Sequence, residues 1–177
     1  MADAETADDL IRYAKVTSVD LGAGRCVVAI GDIVSQPLKW LECRAGRTRT
    51  WSPPTVGEQV VVLSPGGDIV GAIILRGVSS DAHPPAGTTA RELIEFPDGT
   101  VIAYDAESHL LEVLASTGSV RMVARDFTLE GPVKIRGPVE VEGAITASED
   151  VVAAGKSLKS HIHTKVQAGA AVSGPPQ

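Results

Sequence analysis

Gly131-Pro132-Val133-Lys134-Ile135-Arg136 is followed directly by Gly137-Pro138-Val139-Glu140-Val141-Glu142, and then by Gly143-Ala144-Ile145-Thr146-Ala147-Ser148. A looser copy, Glu149-Asp150-Val151-Val152-Ala153-Ala154, ends at Gly155. The period is six. Val133, Val139, Ile145 and Val151 share one position of the repeat, and Ile135, Val141, Ala147 and Ala153 share another. Successive side chains of an extended chain point to opposite faces, so the third and fifth residues of each unit lie on one side. Hexads of this kind are a β-helix signature.

Four hexads do not close a core by themselves. A single-chain left-handed β-helix uses about three hexads per coil, and each coil needs neighbours to bury its faces. Three chains wound round one axis solve this. Each hexad becomes one face of a shared triangular prism, and the small apolar residues of all three chains meet inside. Every strand edge then pairs with another chain. The competing reading is a short ordinary sheet in which the glycine spacing is coincidental.

The composition agrees with a narrow shared core. Hydrophobic residues make up 44% of the 177, yet aromatics make up only 3%. An ordinary core of this length leans on Phe, Tyr and Trp for buried area. Here Val, Ala, Leu and Ile carry it, punctuated by 18 Gly and 11 Pro, which describes many short strands. The net charge of −6 disfavours a nucleic-acid surface, which needs positive charge to displace counterions. Residues 1–15 are acidic and carry no apolar run, so no secretory signal is expected. No stretch approaches the roughly 18 apolar residues of a membrane span, and a soluble chain made in the cytoplasm is expected. Cys26 and Cys43 do not make a disulfide framework, and both read as buried apolar thiols.

Upstream of the repeat the chain has a different rhythm. Residues 1–13 read as a short helix and a docking arm. Strands are expected at Val16–Val19 and Arg25–Ile30, around the Gly22-Ala23-Gly24 turn, and again at Leu38–Leu41 and Thr48–Trp51. Gln59-Val60-Val61-Val62-Leu63 is a continuous apolar run suited to a central strand. Ser64-Pro65-Gly66-Gly67-Asp68 is a turn, and Gly71–Leu75 closes the region. About five strands in about 65 residues fit a small closed barrel of the oligonucleotide/oligosaccharide-binding (OB) type. Ser79–Gly87 is polar and Pro-rich, as linkers are. Phe96-Pro97-Asp98-Gly99-Thr100 reads as a hairpin turn, with strands at Val101–Tyr104, Leu110–Leu114 and Ser119–Val123. The expected division is an arm at 1–14, an OB-fold domain at 15–82, a linker at 83–95, a triple-stranded β-helix at 96–158 and a metal-binding apex at 159–177.

The apex reads Lys159-Ser160-His161-Ile162-His163-Thr164-Lys165. On a strand, His161 and His163 share a face, about 7 Å apart by strand rise. Two imidazoles make a weak site, and exposed His pairs are common. A threefold axis multiplies them to six nitrogens, which suit an octahedral transition metal better than tetrahedral zinc. Geometry alone admits iron, nickel or cobalt. His83 and His109 lie in other contexts and receive no role. Arg44, Arg47 and Arg49 read as a solvated loop in preference to a basic patch.

Several stretches resemble a known family. Trp40-Leu41-Glu42-Cys43-Arg44-Ala45-Gly46, Trp51-Ser52-Pro53-Pro54-Thr55-Val56-Gly57-Glu58-Gln59 and Leu63-Ser64-Pro65-Gly66-Gly67-Asp68 resemble the baseplate assembly protein V family, the tail spikes of P2-like phages and R-type tailocins. So do Asp98-Gly99-Thr100 with Tyr104-Asp105, the His161-Ile162-His163 motif, and the Gly174-Pro175-Pro176 ending. The resemblance implies an all-β homotrimer with an N-terminal OB-fold barrel and a C-terminal intertwined β-helix needle. It implies one iron per trimer, held by His161 and His163 of each chain in the tip. Calcium or chloride ions on the β-helix axis are further candidates. It also implies a structural, non-enzymatic role in the virion as the central spike of a contractile tail. Its partners would be the hub and baseplate proteins beneath the tail tube, its target would be the bacterial outer membrane, and no nucleic acid would be bound. A type VI secretion spike, a hexapeptide-repeat acyltransferase and an OB-fold nucleic-acid binder are the rival readings. Four hexads are too few for the acyltransferase, and spaced aromatics for stacking bases are missing.

Overall fold

The computed structural model describes residues 9–162 and residue 169. The chain divides into two compact units, residues 1–122 and 123–177.

The first unit begins with β1 (Ile11–Asp20), β2 (Arg25–Ile30), β3 (Ile33–Val34), β4 (Lys39–Trp40), β5 (Gln59–Leu63) and β6 (Ile73–Val78). They form one sheet in the order β3-β2-β1-β5-β6-β4. All pairings are antiparallel except β4 with β6. Register shifts at Val16/Ser18 in β1 and at Gln59/Val61 in β5 bend the sheet, as bulges do. It curls far enough for Leu38, just before β4, to exchange two backbone hydrogen bonds of 2.8 and 2.9 Å with Cys26 on β2. A curled sheet that closes on itself in this way is the plan of an OB barrel.

The core follows from alternation. Ala14 and Val16 point inward from β1, Cys26 and Val28 from β2, Val60 and Val62 from β5, and Ile74 from β6. Leu38, Trp40 and Ala72 complete it. Two single turns of 3-10 helix, Pro65–Gly67 and Ile69–Gly71, join β5 to β6. Gly66 and Gly67 take φ of 69° and 79°, a region that L side chains enter only at a cost, so this turn requires glycine. The Asp68 carboxylate accepts from the Val70 N–H at 2.8 Å and caps the second turn.

Three expectations for this half change. Ile11–Tyr13 are strand, not helix, because their backbone pairs with Val61–Leu63 of β5; residues 1–8 of the expected arm lie outside the described residues. Thr48–Trp51 is a loop held by side chains, with one isolated bridge between Ala45 and Arg49. Cys43 is exposed, whereas Cys26 is buried as expected. Arg44, Arg47 and Arg49 are exposed on that loop.

A second sheet follows in the order β7 (Glu92–Glu95), β8 (Val101–Asp105) and β9 (Leu110–Leu114). The Phe96–Thr100 turn joins β7 to β8 as expected, with the Asp98 carboxylate accepting from the Thr100 N–H at 3.0 Å. β7 lies inside the stretch expected to be linker. Ala103 is buried, and Arg91 pairs with Glu112 at 2.7 Å. Ser119–Val123 forms no strand within the chain.

Among the described residues, the second unit has one small hairpin, β10 (Val152–Ala153) with β11 (Lys156–Ser157). The hexads before it form no strand pairs within the chain, and no described residue from 123 to 162 is buried.

Candidate functional site

The hexads present their apolar residues to solvent. Val133, Ile135, Val139, Val141 and Ile145 are between 49% and 72% exposed. Gly131, Gly137 and Gly143 adopt φ of 118°, 133° and 132°, one every six residues. Nothing lies within 4 Å of where a Cβ would sit at any of the three, so backbone conformation, not crowding, calls for glycine there. The units thus repeat in backbone shape as well as in sequence. Each carries one apolar face that a single chain leaves uncovered.

Local hydrogen bonds build the apex. Ala154 and Gly155 link β10 to β11 with φ of 49° and 76°, the positive pair that a tight two-residue hairpin turn needs. One oxygen of the Asp150 carboxylate accepts from the N–H of Val151 at 2.8 Å and of Lys159 at 3.1 Å. The Ser157 hydroxyl, and then the Lys159 N–H, hold this carboxyl below its ordinary value. Asp150 therefore clamps the two ends of the hairpin together.

His161 follows immediately and is exposed. Its Nδ1 lies 3.1 Å from the Ser157 carbonyl oxygen and 3.2 Å from that of Leu158. Carbonyls only accept, so a neutral ring oriented this way carries its proton on Nδ1 and its lone pair on Nε2. A carbonyl that fixes the ring and tautomer in this manner is the usual support of a metal-binding histidine. His163 lies outside the described residues. Among the described residues, one chain brings together no group of three or more His, Cys, Asp or Glu that could hold a metal.

The barrel has its own polar centre, at a place the sequence did not single out. Glu42 accepts from the Trp40 indole N–H at 2.8 Å, the Ser52 backbone N–H at 2.9 Å and the Thr50 hydroxyl at 2.9 Å. Arg76 sits 3.5 Å from it and donates to the carbonyls of Leu41 and Ser52. The Ser52 N–H first, with the indole, hydroxyl and guanidinium, lowers the Glu42 carboxyl from its ordinary value. Trp51 packs on Trp40 at 5.2 Å between ring centroids. This clasp ties the 42–52 loop to β4 and β6 without any strand pairing. Burial, helped by the charge of Glu58, raises the Cys26 thiol to about 11, so it stays protonated and inert.

The fold and its position in the chain define the class. Residues 12–78 match the family described as the type VI secretion system/phage-baseplate injector OB domain. Over these residues the chain is similar to the OB domain shared by type VI secretion and phage-baseplate injectors. A relative is the spike protein of Escherichia phage P2, 44% identical over 106 residues. That match covers 59% of this chain and 50% of the relative, so the chain spans about half the length of the curated relative it matches. Among the described residues no helix is long and apolar enough to cross a membrane.

Proposed function

We infer that the chain is the central spike of a contractile tail baseplate, a homotrimer whose C-terminal needle pierces the bacterial outer membrane during contraction. The observation that carries this reading is the uncovered apolar face of the hexads. Two apolar positions per six residues stand exposed on a backbone that repeats in step with them. Exposed apolar area in such a contiguous row marks an interaction surface. Three copies round one axis cover it, pair the free strand edges and give a closed rod suited to compressive load. The barrels form a collar on the hub beneath the tail tube, which places the protein in the virion tail. Its work is mechanical, not catalytic.

The apex residues fit a transition metal. His161 has the oriented ring and tautomer described above, and His163 of the same chain together with both histidines of two further chains would complete the set. Iron bound there would cross-link three chain ends at the point where terminal strands otherwise fray. The spike of a type VI secretion system is the second reading, favoured by the family description, which spans both machines. Immunogold labelling of purified phage-type particles at the baseplate supports the first reading, and its absence there favours the second.

Native mass spectrometry tests the main reading. A trimer carrying one iron-sized mass is expected, and a His161→Ala/His163→Ala double variant should remain trimeric without the metal. A monomeric wild-type chain would undo the needle. Unchanged metal content in the double variant would move the site elsewhere.

A further inference from the structure

Two stretches of opposite charge take no part in the barrel core or the hexads. Arg44, Arg47 and Arg49 stand exposed on the 42–52 loop. Residues 1–8 lie outside the described residues; their sequence carries Asp3, Glu5 and Asp8 and runs into Asp9, which is exposed.

The loop is built, not merely solvated. The Thr50 N–H donates to the Arg44 carbonyl at 3.0 Å, the Arg44 N–H to the Thr50 hydroxyl at 3.1 Å, and the Gly46 N–H to the Thr48 carbonyl at 3.2 Å. These bonds close a narrow hairpin with Arg47 at its turn, and the Glu42 carboxylate anchors its base. Three guanidiniums are thereby held on one short hairpin, where like charges repel. Among the described residues, none of the three makes an ion pair. The acids of residues 33–67 are Glu42 and Glu58, and both carboxylates accept from backbone N–H groups of their own loops. Trp51 packs on Trp40 and is still 59% exposed. Arginine beside an exposed tryptophan is the composition of a binding surface. On a chain of net charge −6, a fixed and uncompensated cationic hairpin calls for an acidic occupant.

The acidic run supplies one, but not to its own barrel. Asp9 precedes β1, whereas Trp51 lies 3.9 Å from where a Cβ would sit on Gly24, in the turn that follows β1. β1 is ten residues long. A strand of that length spans roughly 30 Å, while Asp3 to Asp9 spans at most roughly 20 Å. The acidic run of one copy falls short of its own hairpin and is free to meet another.

We propose that Asp3, Glu5 and Asp8 of one copy dock on the Arg44–Trp51 hairpin of a second copy and strap neighbouring barrels together. Carboxylates and guanidiniums form short, charge-assisted and often bidentate hydrogen bonds. The proposal rests on the trimeric reading above and adds to it a contact outside the hexads.

Disulfide trapping on the full chain tests the contact. In a Cys43→Ser background, which removes the exposed thiol, Glu5→Cys with Arg47→Cys puts one thiol on the acidic run and one at the hairpin turn. Asp3, Asp8, Arg44 and Arg49 remain to hold the two together. Mild oxidation should give covalent trimers on a non-reducing denaturing gel once free thiols are capped, while either single variant should run as a monomer. A disulfide within one chain, seen as a monomer band that yields the linked peptide pair on digestion, would overturn the proposal by assigning the acidic run to its own barrel. Covalent dimers from Glu5→Cys alone would overturn it by showing acidic runs that meet each other. So would a double variant that is trimeric in native mass spectrometry and yields no linked chains. A monomer before oxidation would instead bring down the trimeric reading itself.

Charge exchange separates pairing from chance collision. Adding Arg44→Glu and Arg49→Glu should slow the cross-link about tenfold at low salt, and added salt should slow the parent pair by screening. Asp3→Lys with Asp8→Lys should bring the rate back, because the attraction returns with opposite sign. The barrel's urea midpoint should stay put throughout, since the exchanged arginines are exposed. A cross-linking rate indifferent to both exchanges would overturn the pairing of these charges.

Discussion

The barrel and the hexad segment are built from the same residue types and treat them in opposite ways. In the barrel, Val16, Val28, Val60, Val62 and Ile74 are at most 1% exposed. In the hexads, Val133, Ile135, Val139 and Ile145 are at least 59% exposed. The difference lies in where the strand partners come from. β1 pairs with β2 across a short turn and with β5 from much further along the chain, so the sheet curls and closes on its own side chains. The hexads turn at a glycine every six residues and never fold back on an earlier unit. Their apolar face is left uncovered by the chain itself. A Val-rich segment is thus buried or left exposed according to topology, not hydropathy.

The largest effect that sharpens this contrast is a buried truncation set against an exposed one. Ile74→Ala should cost the barrel about 2–5 kcal/mol, the range for a truncated core side chain with a residual cavity. Ile135→Ala should leave the barrel's unfolding midpoint unchanged while lowering the stability of the assembly. Urea unfolding followed by Trp40 fluorescence reads the barrel, and sedimentation velocity reads the assembly. A barrel midpoint that moves with Ile135→Ala would erase the distinction between the two regions.

Next in size is the Glu42 clasp. Glu42→Gln removes the charge while keeping the shape, and its amide group cannot accept from all the donors that face the carboxylate. A loss of about 1–3 kcal/mol is expected, the cost of leaving such donors and Arg76 incompletely paired. The 42–52 loop should become the first part of the barrel to open in amide hydrogen exchange. Unchanged protection of Ser52 would show that the loop is held by something other than the carboxylate.

The smallest effect separates the regions by pH. Glu42 and Asp150 both have folded carboxyls below their ordinary values of 4.5 and 3.8. A carboxyl depressed in this way binds its proton more weakly when folded. Its stabilisation is therefore complete above the ordinary value and is lost as pH falls through that value towards the lower folded one. Stability should be flat above about pH 5.5 with respect to these two groups. On acidification the barrel should weaken first, near 4.5, and the apex hairpin later, below 3.8. Residue-resolved amide exchange across that range checks the order. Simultaneous loosening at both places would mean that neither carboxylate is the controlling group.

Much of the barrel was legible before any coordinates. β2 and β5 fall on the expected residues, because Gly31-Asp32 and Ser64-Pro65-Gly66 stop them with turn chemistry that leaves little choice. The Phe96–Thr100 hairpin was legible for the same reason. β7 was missed because Glu92-Leu93-Ile94-Glu95 is short and sits beside a Pro-rich stretch, and only its pairing with β8 makes it a strand. Thr48–Trp51 carries β-favouring residues, yet Glu42 satisfies the backbone and side-chain donors of that loop before a neighbouring strand can. Ile11–Tyr13 looked helical locally, and the partner that extends them, β5, lies some fifty residues further along the chain.

The sequence by itself determined the period of six, the two apolar positions within it, the turn sites and the pair of histidine positions at the apex. These depend on local rules of alternation, glycine conformation and spacing, and those rules act within a few residues. Tertiary structure alone decided that the barrel closes through Cys26 and Leu38, that Glu42 gathers the 42–52 loop, that Cys26 is hidden while Cys43 is not, and that backbone carbonyls orient the His161 ring. Each of these depends on groups brought together by the path of the chain through space, which side-chain periodicity does not encode.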